Sequence, residues 1–214
     1  MKRNRIITIG REFCSGGADI GKTVAEHFGI PYYDKKILDE TAEALQVNSE
    51  IVEKYDEKTN SIWESIPGYQ YGYSWYSGDP TLMQPLNLRV AEAQFQAIRR
   101  YAEAGPCVII GRCADYVLRE RDDVLNIFIR ASLDLRVERA KRLFEITSAD
   151  AKKLIKRTDK IRANYYTAHT EWEWGRPGHY ELIIDSGKTG VAAAAQLIIT
   201  AVEYANQHEF DALS

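Results

Sequence analysis

The sequence predicts an α/β fold in which a central five-stranded parallel sheet carries helices on both faces. Three observations lead there. Short runs rich in β-branched residues alternate with amphipathic stretches along the chain, the pattern of βα units. Two of those runs, Cys107 to Ile110 and Leu125 to Ile129, are nearly continuous in apolar residues, as strands buried on both faces are. The chain also opens with a strand, a glycine-containing loop, a helix and a second strand, which is a βαβ unit.

Taken in order, Arg5 to Gly10 (RIITIG) reads as the first strand and Arg11 to Gly17 as the loop. The first helix carries an apolar stripe of Ile20, Val24, Ala25 and Phe28, and Gly29 ends it. Ile30 to Tyr33 is a short second strand closed by Asp34. Lys35 to Leu45 and Ser49 to Glu57 read as helices, with Asn48 or Ser49 as a cap. Residues 58–85 break the pattern: Trp63, Tyr69, Tyr71, Tyr73, Trp75 and Tyr76 sit among glycines and prolines, an aromatic insertion too rich in rings for a disordered segment. Leu86 to Glu103 is a long helix stopped by Gly105-Pro106. The third and fourth strands follow, then a basic helix from Leu133 to Phe144 and a basic helical stretch from Ser148 to Tyr166. Tyr180 to Ile184 is the fifth strand, and Val191 to Gln207 the last helix.

A chain of 214 residues with 45% hydrophobic and 28% charged residues reads as a single globular domain, residues 1–214, able to bury a core without disulfides. A formal net charge of -3 gives no field pointing to nucleic acid or an acidic membrane. Three cysteines without paired spacing argue against a disulfide framework and for a reducing, cytoplasmic setting. The four histidines lack metal-ligand spacing, so no protein-held metal site is expected. The apolar run after the basic start is too short for a signal peptide, and no stretch approaches the ~18 apolar residues of a membrane span.

The first loop can be read two ways. Gly16-x-x-x-x-Gly21-Lys22-Thr23 matches the Walker A pattern literally. A phosphate loop, however, must wrap its anion before the helix begins. With the helix under way by Ala18, Lys22 would face away from the apolar stripe, one turn before Glu26, and form a surface pair with it. The phosphate is therefore expected on Arg11, Ser15, Gly16, Gly17, Ala18 and Asp19, at the helix N-terminus. In that register Gly17 takes the place of the Walker lysine, and Asp19 is read at that of the magnesium-binding Ser/Thr. The alternative is that the two glycines only make a tight turn.

Ile7-Thr8-Ile9-Gly10-Arg11-Glu12-Phe13, Ser15-Gly16-Gly17, Ile20-Gly21-Lys22, Ile30 to Asp34 and Val108 to Asp115 together resemble the cytidylate kinase-like family over nearly the whole chain. The resemblance implies a P-loop kinase three-layer fold with a helical lid, here at about 145–178. It implies ATP with Mg2+ as donor and a nucleoside monophosphate, CMP or dCMP, as acceptor. In relatives a Gly-Arg-Asp turn after the third strand holds the acceptor phosphate; Arg112 matches its arginine, and Asp115 lies close at a different spacing. An Arg-Asp lid motif is matched in part by Arg157, Asp159 and Arg162, which become the catalytic candidates. Two departures stand out: the P-loop lysine is missing, and strand three ends in Gly111 instead of an acidic residue.

Phosphoryl transfer needs positioning and charge neutralisation more than a reactive side chain. Arg112 follows a buried strand at its carboxyl end, where α/β sheets bind ligands. Asp34 does too, and could orient the acceptor or hold a magnesium-bound water, or simply cap the next helix. Arg136, Arg139 and Lys141 read as a solvated basic face. Cys14 lies in the loop, where helix-dipole charge could lower its pKa, yet reads better as structural. Trp172, Trp174 and the insertion could stack a base; packing of the insertion or a homodimer interface is the weightier reading. The missing lysine keeps a degenerate, regulatory nucleotide-binding protein in view, and the aromatic insertion a kinase for another small metabolite.

Overall fold

The computed structural model describes residues 6–55 and 85–207. The aromatic insertion expected at 58–85 lies outside the described residues, apart from Pro85. The sheet is formed by β1 (Ile6–Arg11), β2 (Tyr32–Tyr33), β3 (Cys107–Ile110), β4 (Val124–Arg130) and β5 (Leu182–Asp185), ordered β2-β3-β1-β4-β5 with every pairing parallel. The central position of β1 explains its continuous apolar run: Ile6, Ile7 and Ile9 are essentially inaccessible. Strands four and five each run one residue further than their apolar sequence, to Arg130 and Asp185, because hydrogen bonding continues after burial ends.

Helices α1 (Gly17–Phe28) and α9 (Val191–Gln207) cover one face of the sheet. Ile20, Val24, Ala194, Ile198 and Val202 pack there on Ile7, Ile9 and Ile127. Helices α2 (Lys35–Leu45), α3 (Ser49–Tyr55) and α4 (Leu86–Ala104) follow β2, and Ile37 and Ile98 join the opposite core with Ile6 and Ile109. Asn48 caps α3 by accepting the Glu50 N–H at 3.0 Å. A one-turn helix α5 (Ala114–Val117) follows β3, and another, α8 (Ser186–Thr189), follows β5. Neither carries enough periodicity to be read in sequence.

Gly21, second glycine of the literal Walker match, has a packing reason instead. A Cβ there would stand 2.7 Å from Ile110 Cδ1 and 3.0 Å from Ile9 Cδ1, so the glycine lets α1 lie close on the sheet. Helices α6 (Leu133–Phe144) and α7 (Ser148–His169) form a hairpin beside the carboxyl end of β1. Thr147, not Ser148, caps α7, accepting the Asp150 N–H at 3.2 Å. Among the described residues, no helix is long and apolar enough to cross a membrane.

Candidate active site

Two corners meet at the carboxyl ends of the central strands. The first is the loop between β1 and α1. Gly16 has φ +87° and ends the loop in a left-handed conformation, and α1 starts directly after it with no side-chain cap. A helix start leaves its first N–H groups without intrahelical partners and places positive dipole density there. The expected anion site, Ser15 to Asp19, spans this helix start. In the Walker pattern Ser/Thr follows the lysine directly. With Gly17 at the lysine's place, the Ser/Thr position falls to Ala18, which corrects the expectation for Asp19.

Lys22 is exposed and stands 3.9 Å from Glu26, the surface pair expected of it. Arg11, though charged, is buried.

Partners distant in sequence hold the loop in shape. The Phe13 N–H donates to Asp159 Oδ1 at 2.7 Å, and Arg136 Nη1 donates to Asp159 Oδ2 at 2.5 Å. Ser186 Oγ donates to the Ser15 carbonyl at 2.5 Å, and Arg162 Nη1 to the Arg11 carbonyl at 3.0 Å. Glu12 turns back to accept the Ala131 N–H at 2.9 Å. Asp159 and Arg162, expected on a lid, thus reach the loop itself, while Arg157 is exposed on α7. The reading of Arg136 and Arg139 as a solvated face does not hold. Arg136 is buried, and Arg139 pairs with Asp19 across the mouth of the loop. Residue spacing shows that the two share a helix side, but not that α6 lays that side on the loop. Burial pushes the Cys14 thiol up, with Arg139 the foremost opposing charge, so this cysteine is not an activated nucleophile.

The second corner joins β2 to β3. Gly111, Arg112 and Cys113 are successively left-handed, with φ of 64°, 54° and 57°. Two non-glycine residues in that region cost energy and persist only where surroundings fix them, which is common at functional sites. The turn carries Arg112 inward. Its side chain is fully buried, donating to Asp34 Oδ1 at 3.0 Å and to the Ile110 carbonyl at 3.2 Å. Asp34 makes no side-chain cap to α2, so its carboxylate serves the pair. Asp115 is buried behind the turn and accepts from the Tyr166 hydroxyl at 2.8 Å; burial holds its carboxyl above the ordinary range.

Tyr32 links the corners. Its hydroxyl donates to the Ala18 carbonyl at 3.4 Å, and burial, followed by the charge of Asp34, pushes its pKa up to about 12. A small cavity of about 20 Å³ between the corners is lined in part by Gly10, Arg11, Arg112, Asp115 and Arg162. Among the described residues, no group of three His, Cys, Asp or Glu side chains could hold a metal. Magnesium bound by nucleotide phosphates and waters needs only one or two carboxylates, and at this corner Asp34, directly after β2 and with 16% of its side chain exposed, is the carboxylate beside Arg112. Trp172 stacks on His179 with centroids 4.2 Å apart, and Trp174 packs edge-on against Phe128, so both tryptophans pack within the chain.

The model of the cytidylate kinase-like family matches residues 6–188. No curated protein sequence matches significantly. Among solved structures, an uncharacterized protein from Eubacterium ventriosum is 28% identical, with a TM-score of 0.67, and the match covers 92% of this chain and 98% of that one. Gluconokinase from Sinorhizobium meliloti is 15% identical over 96% of this chain and 97% of its own, with a TM-score of 0.55. Shikimate kinase from Bacteroides thetaiotaomicron is 13% identical over 92% and 98%, with a TM-score of 0.53. At those identities the two kinases show a shared fold.

Proposed function

Because the chain belongs to the cytidylate kinase-like family, we propose that it transfers the γ-phosphate of ATP to a small-molecule acceptor, with CMP or dCMP the first candidates. One observation carries this reading. An uncapped helix start preceded by a left-handed glycine faces, across Tyr32, a buried arginine–carboxylate pair on the neighbouring strand ends. That arrangement offers donor phosphates and an acceptor a common meeting place.

Ser15 to Asp19 bind the donor phosphates through backbone N–H groups, and Asp159, Arg136 and Ser186 keep the loop preorganised for them. Magnesium neutralises phosphate charge when bound, with Asp34 the carboxylate in reach. Asp34 also orients the acceptor oxygen, and Arg112 fixes the carboxylate that does so. Arg157 on α7 is the lid cation, Arg162 sets the Arg11 carbonyl, and Asp115 backs the turn.

A second reading has its own observation. Arg112 is fully buried and already donates to Asp34 and to Ile110, which suits an acceptor presenting a hydroxyl better than one presenting a phosphate. The experiment is an ADP-release assay with ATP and Mg2+ across nucleoside monophosphates and small hydroxylated metabolites. Turnover with CMP or dCMP supports the first reading, and turnover only with hydroxylated metabolites the second. Micromolar ATP binding without any turnover assigns the protein a regulatory, nucleotide-binding role.

A further inference from the structure

The loop lacks the lysine that neutralises the donor's terminal phosphates, and the Walker-like Lys22 points into solvent. Magnesium and Arg157, exposed on α7, can offset part of a bound triphosphate's charge, but the place beside the loop that the lysine would fill calls for a cation of its own. Arg11, Arg136 and Arg162 are buried, and Arg136 and Arg162 donate into the loop's supporting framework. Arg139 is different. Its side chain keeps 23% of its exposure and pairs with Asp19, whose carboxylate is 65% exposed in the first turn of α1. Its Nη1 stands 2.6 Å from where a Cβ on Gly16 would be, so the guanidinium reaches the loop at a residue with no side chain to exclude it. The Gly16 side of the loop is bounded also by Val191, 2.9 Å from the same point.

Resting on the phosphotransferase reading above, we propose that Arg139 supplies from α6 the charge that the missing lysine would supply from α1, and that Asp19 holds Arg139 until a donor phosphate displaces it. Arginine has the right shape for such an exchange, since its planar fork can trade one carboxylate for two phosphate oxygens without moving its stem. The carboxylate of Asp19 is a stand-in anion at the place the phosphate takes. The exchange leaves no buried charge behind, because Asp19, the partner given up, is 65% exposed and returns to water.

The test is titration of the full chain with ATP and a non-hydrolysable ATP analogue in Mg2+, by calorimetry, with turnover measured in parallel. Arg139→Ala is expected to weaken ATP binding at least tenfold, and Arg139→Lys to recover part of it. Asp19→Asn keeps the backbone N–H that the loop offers and removes the competing carboxylate, so it should bind ATP several-fold more tightly than the parent chain. Thermal melts identify any Arg139→Ala protein that fails to fold, and Arg139→Lys and Asp19→Asn then decide. Unchanged ATP affinity and turnover in folded Arg139→Ala overturns the assignment while leaving the phosphotransferase reading intact. Tenfold weaker binding by Asp19→Asn overturns it as well, making Asp19 a ligand of the nucleotide or its metal. If the parent chain binds no ATP, both readings fall together.

Discussion

The corner read as the donor side and the corner read as the acceptor side are built by opposite means. The loop from Arg11 to Gly17 is held from outside, by side chains more than a hundred residues away: Asp159, Arg162 and Ser186 each bond its backbone. The turn at Gly111 to Cys113 is held from inside, by a strained left-handed backbone and one buried ion pair. A framework of many bonds can lose one member and keep its shape. A buried pair is less forgiving, because removing one charge leaves the other in a desolvated place.

The largest expected effect breaks the acceptor corner. Removing one partner of a buried pair costs about 3–5 kcal/mol. Arg112→Ala should lose about that much in denaturant unfolding, since its side chain has no exposure and Asp34 little. It should also raise the acceptor KM far more than the ATP KM. Arg112→Lys should restore at most part of either: Nη1 alone serves both Asp34 and the Ile110 carbonyl, and a lysine ammonium carries the charge but sits on a stem of different length without the planar group. A fully stable Arg112→Ala protein would erase the contrast between the corners.

Next comes the donor corner. A Cβ on Gly17 would lie 2.6 Å from Arg11 Cβ, with no flexible chain end to yield. Gly17→Ala should therefore cost about 1–3 kcal/mol, the usual range for overpacking. It should weaken ATP at least tenfold by shifting the first N–H groups of α1. Retained ATP affinity would mean that the anion sits elsewhere on the loop.

A smaller effect concerns pH. Asp115 is buried, and its carboxyl is held above its ordinary value of 3.8 in the folded chain. Below that value both states are protonated and the group imposes no penalty. As pH rises through it, the unfolded chain ionises first, so stability falls until the folded carboxyl ionises too. Asp115→Asn keeps an oxygen for the Tyr166 hydroxyl and removes the titration. Its unfolding free energy should accordingly decline less than the parent's as pH rises above 3.8. Parallel pH profiles for the two chains would show that Asp115 carries no such penalty.

The two corners are not equally legible in sequence. Gly16 and Gly17 after a β-branched strand mark a loop that turns into a helix start, the place where a backbone can approach an anion. Gly111-Arg112 at the end of CVII marks the acceptor turn for a similar reason. The outside support is illegible: Asp159 and Arg136 meet the loop only because α6 and α7 fold back over it, a fact of packing that local spacing does not encode. The left-handed conformations of Arg112 and Cys113 are hidden too, since neither residue favours them. Arg139 escapes a sequence reading for the same reason as Arg136. The family match over residues 6–188 agrees with the resemblance that those residue patterns carry.

The smallest expected effect sharpens the donor side most. Lys22 satisfies the letter of the Walker pattern, yet it pairs with Glu26 at 3.9 Å with both side chains about two-thirds exposed. Such pairs on a helix surface are worth about 0.3–0.5 kcal/mol. Lys22→Ala should change stability by no more than that and leave ATP affinity and turnover where they were. Placed beside Gly17→Ala, the comparison is direct: two substitutions five residues apart, one in the glycine loop and one in the literal motif. If phosphate is bound by the backbone at the helix start, only the first matters. Were Lys22→Ala to abolish ATP binding, the nucleotide would have to lie along the exposed flank of α1. Gly21 would then be a phosphate-loop glycine, although the side a Cβ would occupy is turned to the sheet, 2.7 Å from Ile110 Cδ1. The contact with Ile110 makes Gly21 a packing residue, and Lys22 one turn of helix too late to touch a phosphate that Gly16 and Gly17 hold.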